Sequence, residues 1–145
     1  MKNFLKAIIL LATISVASVV FPSCSDNEVE TDITLKSSDP EKVIAGKWRL
    51  QKVGSFRWTG KEKTVLFQEN GTVTFHYDGN DYNGTYSIMD PHFADSKINC
   101  ILTVSYTDKA SHTIYDCTIE RNRLMLNDMS LSEVVDATET YSKIK

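Results

Sequence analysis

The sequence predicts an all-β fold, a small up-and-down antiparallel β-barrel of about eight strands, preceded by a signal peptide and an acidic tether. The first observation is alternation: from Gly46 onward, short segments place apolar residues at every second position, the period of half-buried strands. The second is spacing, since these segments recur at about 8–12 residues with turn residues between them. The third is connection. Each segment can pair with the next through a hairpin and no long crossover is needed, which favours an up-and-down barrel over a Greek key. A sandwich-like domain of six to eight strands is the runner-up. At 145 residues, one folded domain is expected.

Residues 1–23 read as a lipoprotein signal peptide. Lys2 and Lys6 give a basic start, and the apolar run Ala7 to Phe21 ends at Pro22. That run falls short of the ~20 apolar residues that a membrane-spanning helix needs. Residues 24–40 read as a flexible tether, with Asp26, Glu28, Glu30, Asp32 and Asp39 against Lys36 alone. Such a segment has too little apolar surface to order itself. The domain at residues 41–145 carries 14 acidic and 13 basic residues, so the acidity of the chain belongs to the tether. With no basic stripe, no nucleic-acid partner is expected.

Within 41–145 the first element is a short helix. Either Ser38 and Glu41 form a capping box or Asp39 caps with Pro40 at the first helical position, and the helix ends near Ala45. Val43 and Ile44 would close one end of the barrel. In Gly46-Lys47-Trp48-Arg49-Leu50, alternation puts Gly46, Trp48 and Leu50 on one face. The strand runs to Val53, and Phe56 and Trp58 follow in a short second strand or a loop over the mouth. Lys61 to Lys63 reads as a turn.

Thr64 to Glu69 and Thr72 to Tyr77 flank Asn70-Gly71, the strongest short-range hairpin signal. Parity chooses the loop. A three-residue loop, Glu69 to Gly71, with Gly71 left-handed, places Val65 and Phe67 on the face of Val73, Phe75 and Tyr77 and buries no glutamine. The turn Asp78 to Asp81 would then set Tyr77 opposite Tyr82, Phe75 opposite Gly84 and Val73 opposite Tyr86. Tyr82, Gly84, Tyr86 and Ile88 point inward. Met89 to Lys97, with Pro91, reads as a longer connection. Ile98, Cys100, Leu102, Val104 and Tyr106 share the next inner face, followed by Thr113, Tyr115, Cys117 and Ile119. Leu124 and Leu126 come next, then an irregular stretch to Ala137 and a closing strand in Thr138 to Lys145.

Two sets of residues carry resemblances. Phe21-Pro22-Ser23-Cys24 after an apolar run resembles the lipobox of bacterial lipoproteins, which implies that Cys24 is acylated and becomes the mature N-terminus. Ser25-Asp26-Asn27-Glu28 is similar to an acidic surface-export signal in some Gram-negative bacteria. Together they imply an outer-membrane, lipid-anchored protein at the cell surface or on the periplasmic face. Gly46-Lys47-Trp48, Phe67 to Val73, Gly84-Thr85-Tyr86 and Tyr141 to Ile144 resemble, in that order, the bacterial lipocalin-like lipoprotein domain. The resemblance implies that Gly46 and Trp48 lie at the closed end of the barrel. It also implies a basic residue on the last strand over the indole, here Lys143. The alternative leaves Lys143 as a solvated edge charge.

The remaining residues point away from catalysis. His76, His92 and His112 have no metal-ligand spacing. Asp78 to Met89 departs from a calcium loop in its glycine and its twelfth position. Cys100 and Cys117, on one face of adjacent strands, fit either a cross-strand disulfide or two buried thiols. No nucleophile elbow or phosphate loop is present. The expectation is a non-enzymatic protein with no cofactor and no metal, and with one of two roles. As a binding module, it would hold a small hydrophobic ligand through Phe56, Trp58, Tyr82, Tyr86, Tyr106 and Tyr115. As a structural or interaction module, its core would be filled by bulky side chains, and Phe56 and Trp58 would contact another envelope protein.

Overall fold

In the computed structural model, which describes residues 39–131 and 136–145, Asp39 begins the first element. Its carboxylate accepts a hydrogen bond from the Glu41 backbone N–H at 3.3 Å. Pro40 takes the first helical position, where its missing N–H leaves nothing unsatisfied. Helix α1 (Pro40–Ile44) buries Val43 and Ile44. The expectations for residues 1–38, including the signal peptide, acylation of Cys24 and most of the tether, lie outside the described residues.

Nine strands follow among the described residues: β1 (Gly46–Val53), β2 (Phe56–Arg57), β3 (Lys63–Phe67), β4 (Thr72–Tyr77), β5 (Asn80–Ala94), β6 (Lys97–Tyr106), β7 (His112–Glu120), β8 (Arg123–Asp128) and β9 (Glu139–Lys143). From β3 to β9 each pairs antiparallel with the next, and β1 pairs with both β3 and β9. Eight strands therefore close into an up-and-down barrel, and the two-residue β2 folds back on the end of β1. Trp48 stands opposite Lys143 and Leu50 opposite Tyr141 along the closing seam. Trp48 is completely buried.

The alternation reads out directly as burial. Ile98, Cys100, Leu102 and Val104 on β6, and Cys117 and Ile119 on β7, face the core. Cys100 and Cys117 are cross-strand partners and both are free, buried thiols. A hydrogen bond to Cys100 and burial push the Cys117 thiol above its ordinary value. At the β3–β4 hairpin, Gln68 N–H donates to the Thr72 carbonyl at 2.9 Å, and Gly71 adopts φ 83°. The loop is thus the three-residue one chosen by parity. The Asn70 side chain holds it by accepting from the Thr72 backbone N–H and hydroxyl.

Two expected features differ. The β4–β5 turn is shorter by two residues, so Val73 faces Gly84 and Phe75 faces Tyr82. Asp78 and Gly79 both take positive φ, 52° and 78°, which builds a two-residue hairpin whose twist matches the flanking strands. The shift of two residues preserves every inward face. Secondly, Met89 to Lys97 is not a long connection. β5 continues to Ala94 through a bulge, in which Asp90 and Pro91 together oppose Cys100. Asp90 sits at φ 50°, and a bulge tolerates Pro91, which has no N–H to give to the ladder. The turn to β6 is then only Asp95-Ser96, and β5, at 15 residues, is much longer than the expected short strands.

Candidate functional site: the barrel mouth

The two ends of the barrel are built differently. At the closed end, α1 leaves its last carbonyls without helical partners, as every helix does. The Trp48 indole N–H donates to the Ile44 carbonyl at 2.8 Å, and the Lys143 ammonium donates to that of Val43 at 3.4 Å. The same ammonium lies 5.0 Å from the centre of the Trp48 ring, within cation–π reach. Partial burial holds Lys143 below the ordinary lysine range. Gly46 makes room for this arrangement. Its φ is +127°, and a Cβ there would stand 2.8 Å from Lys143 Cε. The floor is therefore also the C-cap of the helix that covers it.

Above the floor an aromatic column fills the lower barrel. Phe67 meets Tyr86 edge-on at 5.1 Å and Phe75 at 6.4 Å, and Phe75 meets Tyr106 at 6.2 Å. Tyr86, grouped with the mouth tyrosines in the sequence reading, belongs to this closed half. Its hydroxyl donates to the Gln68 carbonyl at 2.9 Å and pins the β3–β4 loop.

Beyond Phe75 the barrel opens into a cavity of about 350 Å³. Tyr82, Tyr106 and Tyr115 line it, as do Phe75 and Tyr77. Lys63, Lys109, Ser111 and Thr113 complete its lining. Lys63 forms an ion pair with Glu139, whose other oxygen accepts a hydrogen bond from the Tyr141 hydroxyl. The Lys109 ammonium lies 5.5 Å over the Tyr82 ring. The other two expected contact residues are not in the cavity wall. Phe56 is 81% exposed on β2. Trp58 packs against Tyr77 at 6.4 Å and donates its indole N–H to the Lys61 carbonyl. Of the pair, Phe56 is thus exposed and Trp58 half-buried.

The sequence reading missed Lys63 because it stood in a segment read as a turn, and Lys109 because it lies between the strand segments that end at Tyr106 and resume at Thr113. The three histidines are exposed, and His76 pairs with Asp81 at 2.6 Å on the outer face. Asp78 pairs with Lys61, so both carboxylates of the calcium-like stretch already have side-chain partners. Among the described residues, no three His, Cys, Asp or Glu side chains gather as a metal site, and no helix is long and apolar enough to cross a membrane.

The buried hydroxyls give the barrel a pH signature. Burial, with nearby carboxylates, raises Tyr86 to about 12. Burial and the neighbouring Tyr106 push Tyr115 up, and burial and Glu139 push Tyr141 well above the ordinary value. For such groups the unfolded chain loses protons first. Their contribution to stability is therefore complete below pH ~10 and is lost as pH rises beyond it. Unfolding free energy measured against pH should fall above pH ~10, and Tyr115→Phe or Tyr141→Phe should make that fall shallower. An unchanged slope in both variants would contradict the burial of these hydroxyls.

No protein-family model matches the chain, and no curated protein matches it in sequence.

Proposed function

We propose that this chain is a non-enzymatic, lipid-anchored protein of the outer membrane whose lipocalin-like barrel holds a small hydrophobic ligand in its mouth. The carrying observation is the cavity of about 350 Å³, walled by aromatic rings above a sealed floor. Ligand pockets of ~300–1,000 Å³ with mostly apolar walls and a few placed polar groups are the usual form of a small-molecule site. Anchoring rests on Cys24, where acylation would supply ~0.8 kcal/mol per buried CH₂. One experiment addresses both parts, native mass spectrometry of the full chain extracted gently from membranes. The expected mass combines cleavage before Cys24, acyl groups on its sulfur and amine, and a co-purified small molecule. An unacylated chain removes the anchor, and a clean unliganded mass removes the binding role.

The exposure of Phe56 favours a second reading, in which the outer surface at the mouth contacts another envelope protein. Phe56→Ser should then abolish capture of that partner without lowering the melting temperature. Retained capture would dismiss this reading.

A further inference from the structure

We infer that the mouth cavity selects a compact aromatic anion, a planar ring bearing one carboxylate, over neutral rings and over long acyl chains. The inference rests on the reading of the mouth as a ligand site and names the class of molecule it takes. Size sets the first limit. The column of Tyr86, Phe67 and Phe75 occupies the lower barrel, so an entering molecule stops at Phe75. About 350 Å³ lies at the small end of ligand pockets and leaves no channel for an extended chain.

The walls set the second limit. The rings of Phe75, Tyr82, Tyr106 and Tyr115 offer flat faces and edges, and aromatic partners gain most in offset or edge-on contact at ~4.5–7 Å. Charge sets the third. Glu139 is engaged from two sides, by Lys63 and by the Tyr141 hydroxyl. Lys109 has the Tyr82 ring beneath it, and among the described residues no carboxylate reaches it within ion-pair distance. The residues that line the mouth thus include two ammonium groups and no carboxylate, with Glu139 behind Lys63 and Asp128 beside Tyr115 as the nearest acidic neighbours, and with tyrosine, serine and threonine hydroxyls as further donors. A ligand carboxylate would draw Lys109 off the ring face and accept from these hydroxyls, while the ligand ring takes the place of the ammonium against Tyr82.

The test uses the full chain carrying Cys24→Ser, which removes the acylation site. Calorimetric titration compares 2-naphthoate, its neutral counterpart 2-naphthalenemethanol, and palmitate. Naphthoate should bind at least about fivefold tighter than either of the others. Lys109→Gln should weaken naphthoate about threefold to fivefold, the upper part of the range expected of an exposed ion pair. The same variant should leave naphthalenemethanol unchanged. Equal binding of the two naphthyl probes, or naphthoate binding untouched in Lys109→Gln, overturns the preference for an anion while the ligand site stands. Tighter binding of palmitate overturns the compact class. If no probe binds, the reading of the mouth as a ligand site falls with it.

Discussion

Replacing Trp48 by alanine should lower the unfolding free energy by about 3–5 kcal/mol, read as a loss of urea midpoint at unchanged slope. The indole is completely buried. Removing it takes away the packing under α1, the surface beneath the Lys143 ammonium, and the donor to the Ile44 carbonyl. Cavity formation and an orphaned acceptor then act together. Trp48→Phe separates them, because a ring remains but the donor is gone. It should cost about 1–3 kcal/mol, the penalty of one buried unsatisfied group plus some repacking. A loss below about 1 kcal/mol for the alanine variant would show that the barrel floor does not depend on this side chain.

Gly84→Ala should cost about 3 kcal/mol, at the upper end of ordinary overpacking. A Cβ at Gly84 would stand 2.4 Å from the Ser105 carbonyl oxygen and 3.3 Å from the Tyr106 Cα. Both are backbone atoms of the neighbouring strand β6, so no side chain can swing aside to relieve the contact. Gly79→Ala provides the control. Gly79 has φ +78° but nothing within 4 Å of a Cβ, so only the left-handed backbone opposes the change, at about 1–2 kcal/mol. Equal losses in the two variants, measured by chemical unfolding, would show that the approach of β6 to Gly84 is not what demands glycine.

Gly84 also shows what could be read from the sequence and what could not. Its inward position followed from alternation, because side chains on a strand return to the same face every two residues. Its neighbour did not. A turn shorter by two residues leaves every face intact but changes every partner, so Phe75 faces Tyr82 rather than Gly84. The same logic let the Asn70-Gly71 loop be fixed, where the choice differed by one residue and a wrong choice would have buried Gln68. Pro91 misled for a different reason. A residue without an N–H argues against a strand, yet a bulge supplies a place for it, and no periodicity marks a bulge. The aromatic residues of the interior were visible. Their division into a packed lower column and an open mouth was not, because it depends on the height at which each ring enters the barrel. Lys63 and Lys109 join the cavity only through the register of β3 with β4 and the placement of the 107–111 turn.

The seam between β1 and β9 brings Lys143 to a carbonyl 100 residues earlier in the chain, at Val43. The pairing of β1 with β3 and the local hairpins from β3 to β8 can form as soon as their own residues are available, but the other edge of the first strand must wait for the ninth. Joining such distant segments is entropically slow. Until it happens, β1 and β8 each expose a bare row of amide and carbonyl groups. The chain therefore meets its greatest hazard of sticking to other chains during biogenesis, between arrival of Trp48 and delivery of Tyr141 and Lys143. A molecular escort acting in that interval would have to shield those two strands.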